Sequence, residues 1–377
     1  MSGNAKILLV DDSAVIRGLL TKLIDKQPGM EVLSTAPNGR VGVEKARSMN
    51  PDLVVMDIEM PIMDGLEAVA EINKTHPKIP IVMFSTLTEK GATAALNALE
   101  LGASDYATKP RNTGSMTAAL EEVKDELVSK ISALLGPAFN ARGAGGPAEA
   151  ALGAPSAAGP ARKRRAVNTQ PAAVVVGSST GGPHALEAVL TAIRQPLPVP
   201  MFITQHMPET FTKVLAERLN NKCQSTVHEA EDGMVVQPGH CYIAPGGFHL
   251  SLEKQGTSVA TKLLTTDPIN SCRPSVEPMF ETAAAIYGRR LVAVMLTGMG
   301  SDGLDGSRRI AGLGSPVVVQ DEATSVVWGM PGAVAKAGLA SEVLSLAEIG
   351  PRIVQLAGAR PGTRRPQRAT SGAEVSR

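Results

Sequence analysis

Short strand-like runs that each stop on a polar or charged residue, separated by helix-length stretches, constrain the first third of this chain more than any other feature. Ile7-Leu8-Leu9-Val10 stops at Asp11-Asp12-Ser13, Leu53-Val54-Val55-Met56 at Asp57, and Ile81-Val82-Met83-Phe84 at Ser85. A shorter run, Asp105-Tyr106-Ala107-Thr108, leads into Lys109-Pro110. After the first run, Val15, Ile16, Leu19, Leu20 and Leu23 recur at helical spacing. Strand, helix, strand at these intervals predicts right-handed βαβ crossovers and a parallel sheet. Leu120, Val123, Leu127, Ile131 and Leu134 predict a further helix over about 116–135.

The chain has 377 residues, too many for one ordinary core. Its text breaks between Gly136 and Gln170 into Gly, Ala and Pro with little to bury, which predicts a flexible linker. The expected division is therefore a first domain at 1–135, a linker at 136–170, a second domain at 171–357 and a disordered tail at 358–377. The second domain opens on another aliphatic run, Ala172-Ala173-Val174-Val175-Val176-Gly177. With aromatics at only 3% and aliphatic residues plentiful, the expected fold class is α/β, two doubly wound parallel-sheet domains.

Lys and Arg number 37 against 36 acidic residues, which argues against a polyanion-binding protein. The run Arg162-Lys163-Arg164-Arg165 reads as a solvated part of the linker rather than a contact to nucleic acid or anionic lipid. Cys223, Cys241 and Cys272 are odd in number and lack C-x-x-C spacing, so neither a disulfide framework nor a zinc site is expected. No run approaches the roughly 18 apolar residues of a membrane span, and polar Asp11 and Asp12 come before any signal-peptide core. A cytoplasmic protein with no membrane insertion is expected.

In an open parallel sheet, functional groups collect at the carboxyl ends of the strands. Asp11, Asp12 and Asp57 stand at two such ends, and clustered carboxylates need a neutralising cation, for which hard oxygen ligands suit Mg²⁺. Ser85 and Lys109 stand at two more, where a hydroxyl and an ammonium could contact a phosphoryl group on an aspartate. Any one of these could merely cap a helix or carry surface charge; five at successive strand ends point to a site. Residues 5–125 thus resemble a two-component receiver domain, which is flavodoxin-like. The resemblance implies that Asp57 accepts phosphate from a histidine kinase and that Asp11, Asp12 and Asp57 hold Mg²⁺. It implies that Ser85, where many members carry Thr, and Lys109 sense the phosphoryl group, with Tyr106 as a rotating aromatic switch.

In the second domain, Gly177-Ser178-Ser179-Thr180-Gly181-Gly182 links a strand to a helix. It lacks G-x-G-x-x-G and the G-K-[ST] ending of a P-loop, so a nucleophile at a strand end beside a helix N-terminus is the better reading. A plain tight turn would look similar. Of six histidines, His206 follows a strand in Gln205-His206-Met207-Pro208 and is the candidate base. His184 is expected to face solvent, His76 belongs to the first domain, and His228, His240 and His249 read as structural. Leu291-Val292-Ala293-Val294-Met295-Leu296 leads to Thr297-Gly298-Met299-Gly300-Ser301-Asp302-Gly303, which supplies a carboxylate, Asp302. Glycines around Met299 would let backbone N–H groups approach an oxyanion. The order Ser, His, Asp is not that of α/β-hydrolases.

Residues 172–357 resemble the catalytic domain of the chemotaxis protein-glutamate methylesterases. The matching stretches are Ser179-Thr180-Gly181-Gly182, Gln205-His206-Met207-Pro208 and Leu296 to Gly303, with Tyr242-Ile243-Ala244-Pro245-Gly246-Gly247, Arg273-Pro274-Ser275-Val276 and Gly329-Met330-Pro331. The resemblance implies Ser179 as nucleophile, His206 as base, Asp302 as its orienter and Met299 as an oxyanion N–H donor. It implies hydrolysis of glutamyl γ-methyl esters on methyl-accepting chemoreceptors, with deamidation of glutamine as a second activity and no cofactor for ester hydrolysis. The phosphodonor would be the chemotaxis histidine kinase. A DNA-binding response regulator is the main rival, and the balanced charge and lack of a helix-turn-helix pattern oppose it. A catalytically silent adaptor is the other, opposed by the complete Ser, His, Asp set.

Overall fold

The structure, a computed structural model, describes residues 4–110, 116–136 and 170–358. The stretches expected to form the linker and the tail, including the basic run at 162–165, lie almost wholly outside the described residues.

The first half alternates β1 (Ala5–Val10), α1 (Ala14–Ile24), β2 (Met30–Ala36), α2 (Gly39–Met49), β3 (Leu53–Asp57), α3 (Gly65–Thr75), β4 (Ile81–Ser85), α4 (Glu89–Glu100), β5 (Asp105–Thr108) and α5 (Met116–Leu135). The strands are parallel in the order β2-β1-β3-β4-β5. Leu8, Val10, Val54 and Met56 pack one face of the sheet, and Ile7, Leu9, Leu53 and Val55 the other. Burial on both faces is why these strands read as unbroken apolar runs rather than as alternation. Ser13, Asn38, Asp64 and Thr88 each accept a backbone N–H of the following helix, and Asp64 with Glu67 closes a capping box. These caps start each helix directly after its strand end. The strand order reverses between β1 and β3, so Asp11 and Asp57 meet at the crevice this topology creates.

The second half runs β6 (Ala173–Ser178), α6 (Gly182–Ala192), β7 (Met201–Gln205), α7 (Glu209–Lys222), β8 (Thr226–Glu229), β9 (His240–Ile243), β10 (His249–Gln255) and β11 (Ser258–Leu264). It continues through α8 (Val276–Tyr287), β12 (Leu291–Met295), α9 (Leu304–Gly312), β13 (Val317–Gln320), α10 (Met330–Lys336), β14 (Glu342–Leu344) and α11 (Leu346–Leu356). Seven strands form a parallel sheet in the order β14-β13-β12-β6-β7-β9-β8, and β10 and β11 form a separate antiparallel hairpin. The hairpin adds to the expected architecture. Its Leu250, Leu252 and Ala260 join Phe202, Tyr242 and Phe280 in one apolar cluster. Strand β7 begins at Met201 rather than earlier because Pro200 has no N–H for the ladder, although its carbonyl accepts from Val174.

The two halves are docked. Helix α4 lies against α7 and α6, and one apolar cluster runs from Leu96, Leu99 and Tyr106 into Leu186, Phe211 and Leu215. Around it, Lys213 pairs with Glu89 at 2.9 Å, Arg218 donates to Asn97 at 2.9 Å, and Arg218 and Lys222 both pair with Glu100.

Candidate functional site

Three adjacent strands of the second sheet end level with one another. Gly177 of β6 pairs with Met295 of β12, and Ser178 of β6 with Gln205 of β7. The strand order reverses between β6 and β12, so the loops that follow bound a crevice. Ser179 N donates to Thr297 O at 3.0 Å and His206 N donates to Ser178 O at 3.2 Å, which ties the three loops together.

The two adjacent serines have different environments. Ser178 is fully buried and its hydroxyl donates to Gln205 Oε1 at 2.7 Å. Gln205 Nε2 in turn donates to the carbonyl of Ser179 at 2.9 Å. Ser179 is half-buried at the open end of the strand. Gly181 follows at φ +74°, a left-handed conformation that suits glycine and turns the chain into α6. A Cβ on Gly298 would fall 2.8 Å from Ser179 Cβ, so only glycine lets the β12 loop come this close to the serine.

His206 Nε2 lies 2.8 Å from Asp302 Oδ2. Asp302 also accepts from Val276 N at 2.6 Å, Ser275 Oγ at 2.7 Å and Asn270 Nδ2 at 2.8 Å. Burial pushes the Asp302 carboxyl up, but these donors, His206 first, outweigh it and hold the group below the usual carboxylate range. Burial likewise disfavours the His206 imidazolium, yet its bonds to Asp302 and Cys272 prevail and raise its pKa to about 9. The other ring nitrogen, Nδ1, faces Cys272 Sγ at 3.4 Å. Among the described residues, no hydrogen bond joins Ser179 Oγ to His206. The Gly298 carbonyl accepts from Gly329 N at 3.0 Å and Met330 N at 2.8 Å, and the next residue, Met299, is exposed at the rim of the crevice.

The remaining histidines sit elsewhere. His184 is exposed on α6, His249 is buried and accepts from Ser275 N at 3.0 Å, and His228 and His240 hydrogen-bond to one another at 2.9 Å.

In the first sheet, carboxylate oxygens of Asp11, Asp12 and Asp57 lie within 4.8 Å of one another. An all-oxygen donor set with two buried members and one exposed fits a hard divalent cation. Lys109 Nζ lies 2.7 Å from Asp57 Oδ1 and 3.0 Å from Asp11 Oδ2. Burial and then Asp11 raise the Asp57 pKa to about 6 despite the Lys109 hydrogen bond. The Ser85 hydroxyl donates to the Gly91 carbonyl, in the first turn of α4, at 3.0 Å. Tyr106 is buried between the two halves on Phe211. Its neighbour Asp105 faces the side chain of Thr180, the residue after Ser179.

Sequence reasoning gave no role to Gln205, Asn270, Cys272 or Ser275. Ser275 caps α8 with its hydroxyl while also holding Asp302. An N-cap serine before an apolar helix is readable from sequence, but its second bond is not.

A receiver-type sheet docked on a hydrolase-type crevice defines a response regulator with an enzymatic output. The model of response regulator receiver domains matches residues 7–121, and that of CheB methylesterases matches residues 174–353. A protein-glutamate methylesterase/protein-glutamine glutaminase of Nocardioides sp. is 46% identical, over 94% of this chain and 96% of that protein. One from Trichodesmium erythraeum is 41% identical, over 94% of this chain and 99% of that protein. The crystal structure of the Thermotoga maritima CheB methylesterase catalytic domain is 43% identical with a TM-score of 0.49, covering 50% of this chain and all of that one. The chain belongs to the protein-glutamate methylesterase/protein-glutamine glutaminase family. No described helix is long and apolar enough to cross a membrane.

Proposed function

We propose that this protein hydrolyses glutamyl γ-methyl esters on the cytoplasmic parts of chemoreceptors, releasing methanol, and also deamidates receptor glutamines. The reading works from the cytoplasm in chemotaxis adaptation. The observation that carries it is the His206–Asp302 pair: a carboxylate with three further donors, hydrogen-bonded to an imidazole one strand away from Ser179. In this mechanism Asp302 fixes the proton on Nε2, which leaves Nδ1 to take the Ser179 proton. Ser179 Oγ attacks the ester carbonyl, and the oxyanion is stabilised by backbone N–H groups that include Met299. His206 returns the proton to the departing methoxide, and water then cleaves the acyl-enzyme by the same route.

Regulation comes from residues 1–135, joined by 136–170 to the catalytic part at 171–357. Asp57 takes a phosphoryl group from a chemotaxis histidine kinase. Asp11, Asp12 and Asp57 would hold Mg²⁺, which when bound neutralises the phosphoryl charge. Lys109 and Ser85 would then contact the phosphoryl oxygens. Ser85 has to leave the Gly91 carbonyl to do so, which alters the first turn of the helix docked on α7. With Tyr106 swinging at the same interface, the docked face loosens and the crevice opens to the receptor. Methanol release from methylated receptors, with and without phosphodonor, tests the proposal; absence of release in both conditions removes it.

A further inference from the structure

Nδ1 of His206 is the nitrogen that the proposed mechanism needs for the Ser179 proton, and the group facing it is the thiol of Cys272. The sulfur lies 3.4 Å away, while Nε2 is committed to Asp302. A cysteine, an imidazole and a carboxylate stand in series, so that a neutral His206 can take the S–H proton at Nδ1 as the sulfur attacks, with Asp302 balancing the imidazolium that forms. Cys272 follows Asn270 and Ser271, which hold left-handed φ of 52° and 61°. That conformation delivers the Asn270 amide to Asp302 Oδ1 and carries the chain on to the thiol, so one tight turn serves both ends of the histidine. Cys272 is partly exposed. The other two cysteines lack such a partner. Burial first, and a nearby carboxylate or thiol, push Cys223 and Cys241 up to about 12.

We propose that Cys272 is a modification site, a thiol that reacts with hydrogen peroxide and thereby turns the esterase off. This rests on His206 as the base. The Cys272 sulfur attacks one peroxide oxygen, the O–O bond breaks, and the second oxygen leaves as water with the proton that Sγ gave to Nδ1. The sulfur is oxidised by two electrons to a sulfenic acid and the peroxide is reduced to water. The new S–O–H group stands against Nδ1 and denies it to Ser179. A dithiol reduces the sulfenic acid back to the thiol and frees the nitrogen.

The test uses the full chain with phosphodonor and Mg²⁺, methanol release from methylated receptor as the rate, and a dimedone-type probe with peptide mass spectrometry for the sulfenic acid. Each variant is compared with its own untreated rate, so a changed basal rate in Cys272→Ala drops out. The expected result is that brief peroxide treatment of the wild type lowers the rate by about tenfold or more, labels Cys272 and not Cys223 or Cys241, and reverses with dithiothreitol. Cys272→Ala should keep its own rate under the same treatment. Equal loss in wild type and Cys272→Ala overturns the proposal, as does label on Cys272 without loss of rate, or no label at all. Oxidation of exposed Met299 would give a loss that dithiothreitol does not reverse, and that outcome also overturns it. If untreated protein releases no methanol while Cys272 still takes the label, the esterase reading fails rather than the thiol.

Discussion

Tyr106 and Phe211 stack face to face across the docked halves, their ring centroids 4.3 Å apart and their planes within 9°. One belongs to β5 of the receiver sheet, and the other lies five residues after the candidate base. Lys130 Nζ lies over the far face of the tyrosine, 4.5 Å from its centroid, and donates to its carbonyl at 2.6 Å. A residue held this way links the phosphorylation chemistry to the catalytic half without any loop between.

Tyr106→Ala should therefore raise the activity of the unphosphorylated protein. A stacked aromatic pair is worth about 1 kcal/mol beyond its area, so the open fraction should grow about 5-fold. Methanol release without phosphodonor reads this. An unchanged or lower basal rate would mean that the docked face does not restrain the enzyme.

The two serines should separate cleanly. Ser179→Ala should lose on the order of 10⁴-fold in rate with the fold intact. Ser178→Ala removes the donor to Gln205 Oε1 and leaves that buried oxygen unpaired, a cost of about 1–3 kcal/mol in stability. Its signature should be a lowered Tm with most of the activity kept. A fluorophosphonate adduct found on Ser178 would reverse the assignment.

The fold was legible in the sequence because its signal is local. Strands buried on both faces, such as Val174 to Val176, read as apolar runs, and the residue that ends each run lies at the functional edge. Asp57, Lys109 and His206 stand out as candidates this way, at or just past a strand end, and Asp302 in the glycine-rich loop after β12. What stayed hidden depends on contacts across long sequence separations. Ser178 and Ser179 look alike until Gln205 is seen to occupy one of them, and the Asn270 and Cys272 side chains gain meaning only against Asp302 and His206. The β10–β11 hairpin escaped because His249-Leu250-Ser251-Leu252 alternates too briefly before turning polar at Glu253. Which residues dock the halves was out of reach as well, since nothing local marks Leu96 and Leu99 of α4 as packing on the other half rather than on their own sheet.

The pH profile follows from the His206–Asp302 pair. With its pKa raised to about 9, His206 is protonated at neutral pH and gains base function as pH rises through that value. With chemistry rate-limiting, the rate should climb between about pH 8 and 10. Asp302→Asn removes the chief support of the imidazolium and leaves burial to oppose it, so the midpoint should fall while the maximal rate drops. Stability has the matching sign. The folded pKa exceeds the unfolded value of about 6.5, so the stabilisation is complete below about pH 6.5 and is lost as pH rises through about 9. Denaturant titrations at pH 6 and 10 on wild type and Asp302→Asn should show a larger loss in the wild type.

Activation should need both the phosphoacceptor and the cation. Asp57→Asn should keep the basal rate and lose the response to phosphodonor. Asp12→Ala should weaken the response by raising the Mg²⁺ concentration required, because it removes the exposed member of the oxygen cluster. Chelation should abolish activation in the wild type but leave basal turnover, since no proposed step at Ser179 uses a metal. A basal rate that falls with chelation would break the separation of the two sites.

The ion pairs that rim the docked face allow a test by charge reversal. Glu100 receives both Arg218 and Lys222, which depress its carboxyl to about 2 against the opposing effect of burial. Lys222 also reaches Glu187 at 2.7 Å, so a single lysine joins a receiver carboxylate to a catalytic-half one. These groups are partly exposed, and solvent screens them. Raising the salt from about 0.05 to 0.5 M should therefore increase unphosphorylated activity. Glu100→Lys should set three positive groups against one another and raise basal activity further, with little left for phosphodonor to add. Adding Lys222→Glu to that variant restores one opposite-charge pair and should bring the basal rate partway back, with the response to phosphodonor recovering alongside. Neither substitution touches Ser179, His206 or Asp302, so the fully phosphorylated rates of wild type, Glu100→Lys and the double variant should coincide. A double variant as active as Glu100→Lys alone, at equal Tm, would show that the Glu100 cluster does not hold the halves together, leaving the apolar contact of Tyr106, Leu96 and Leu99 with α7 to do so.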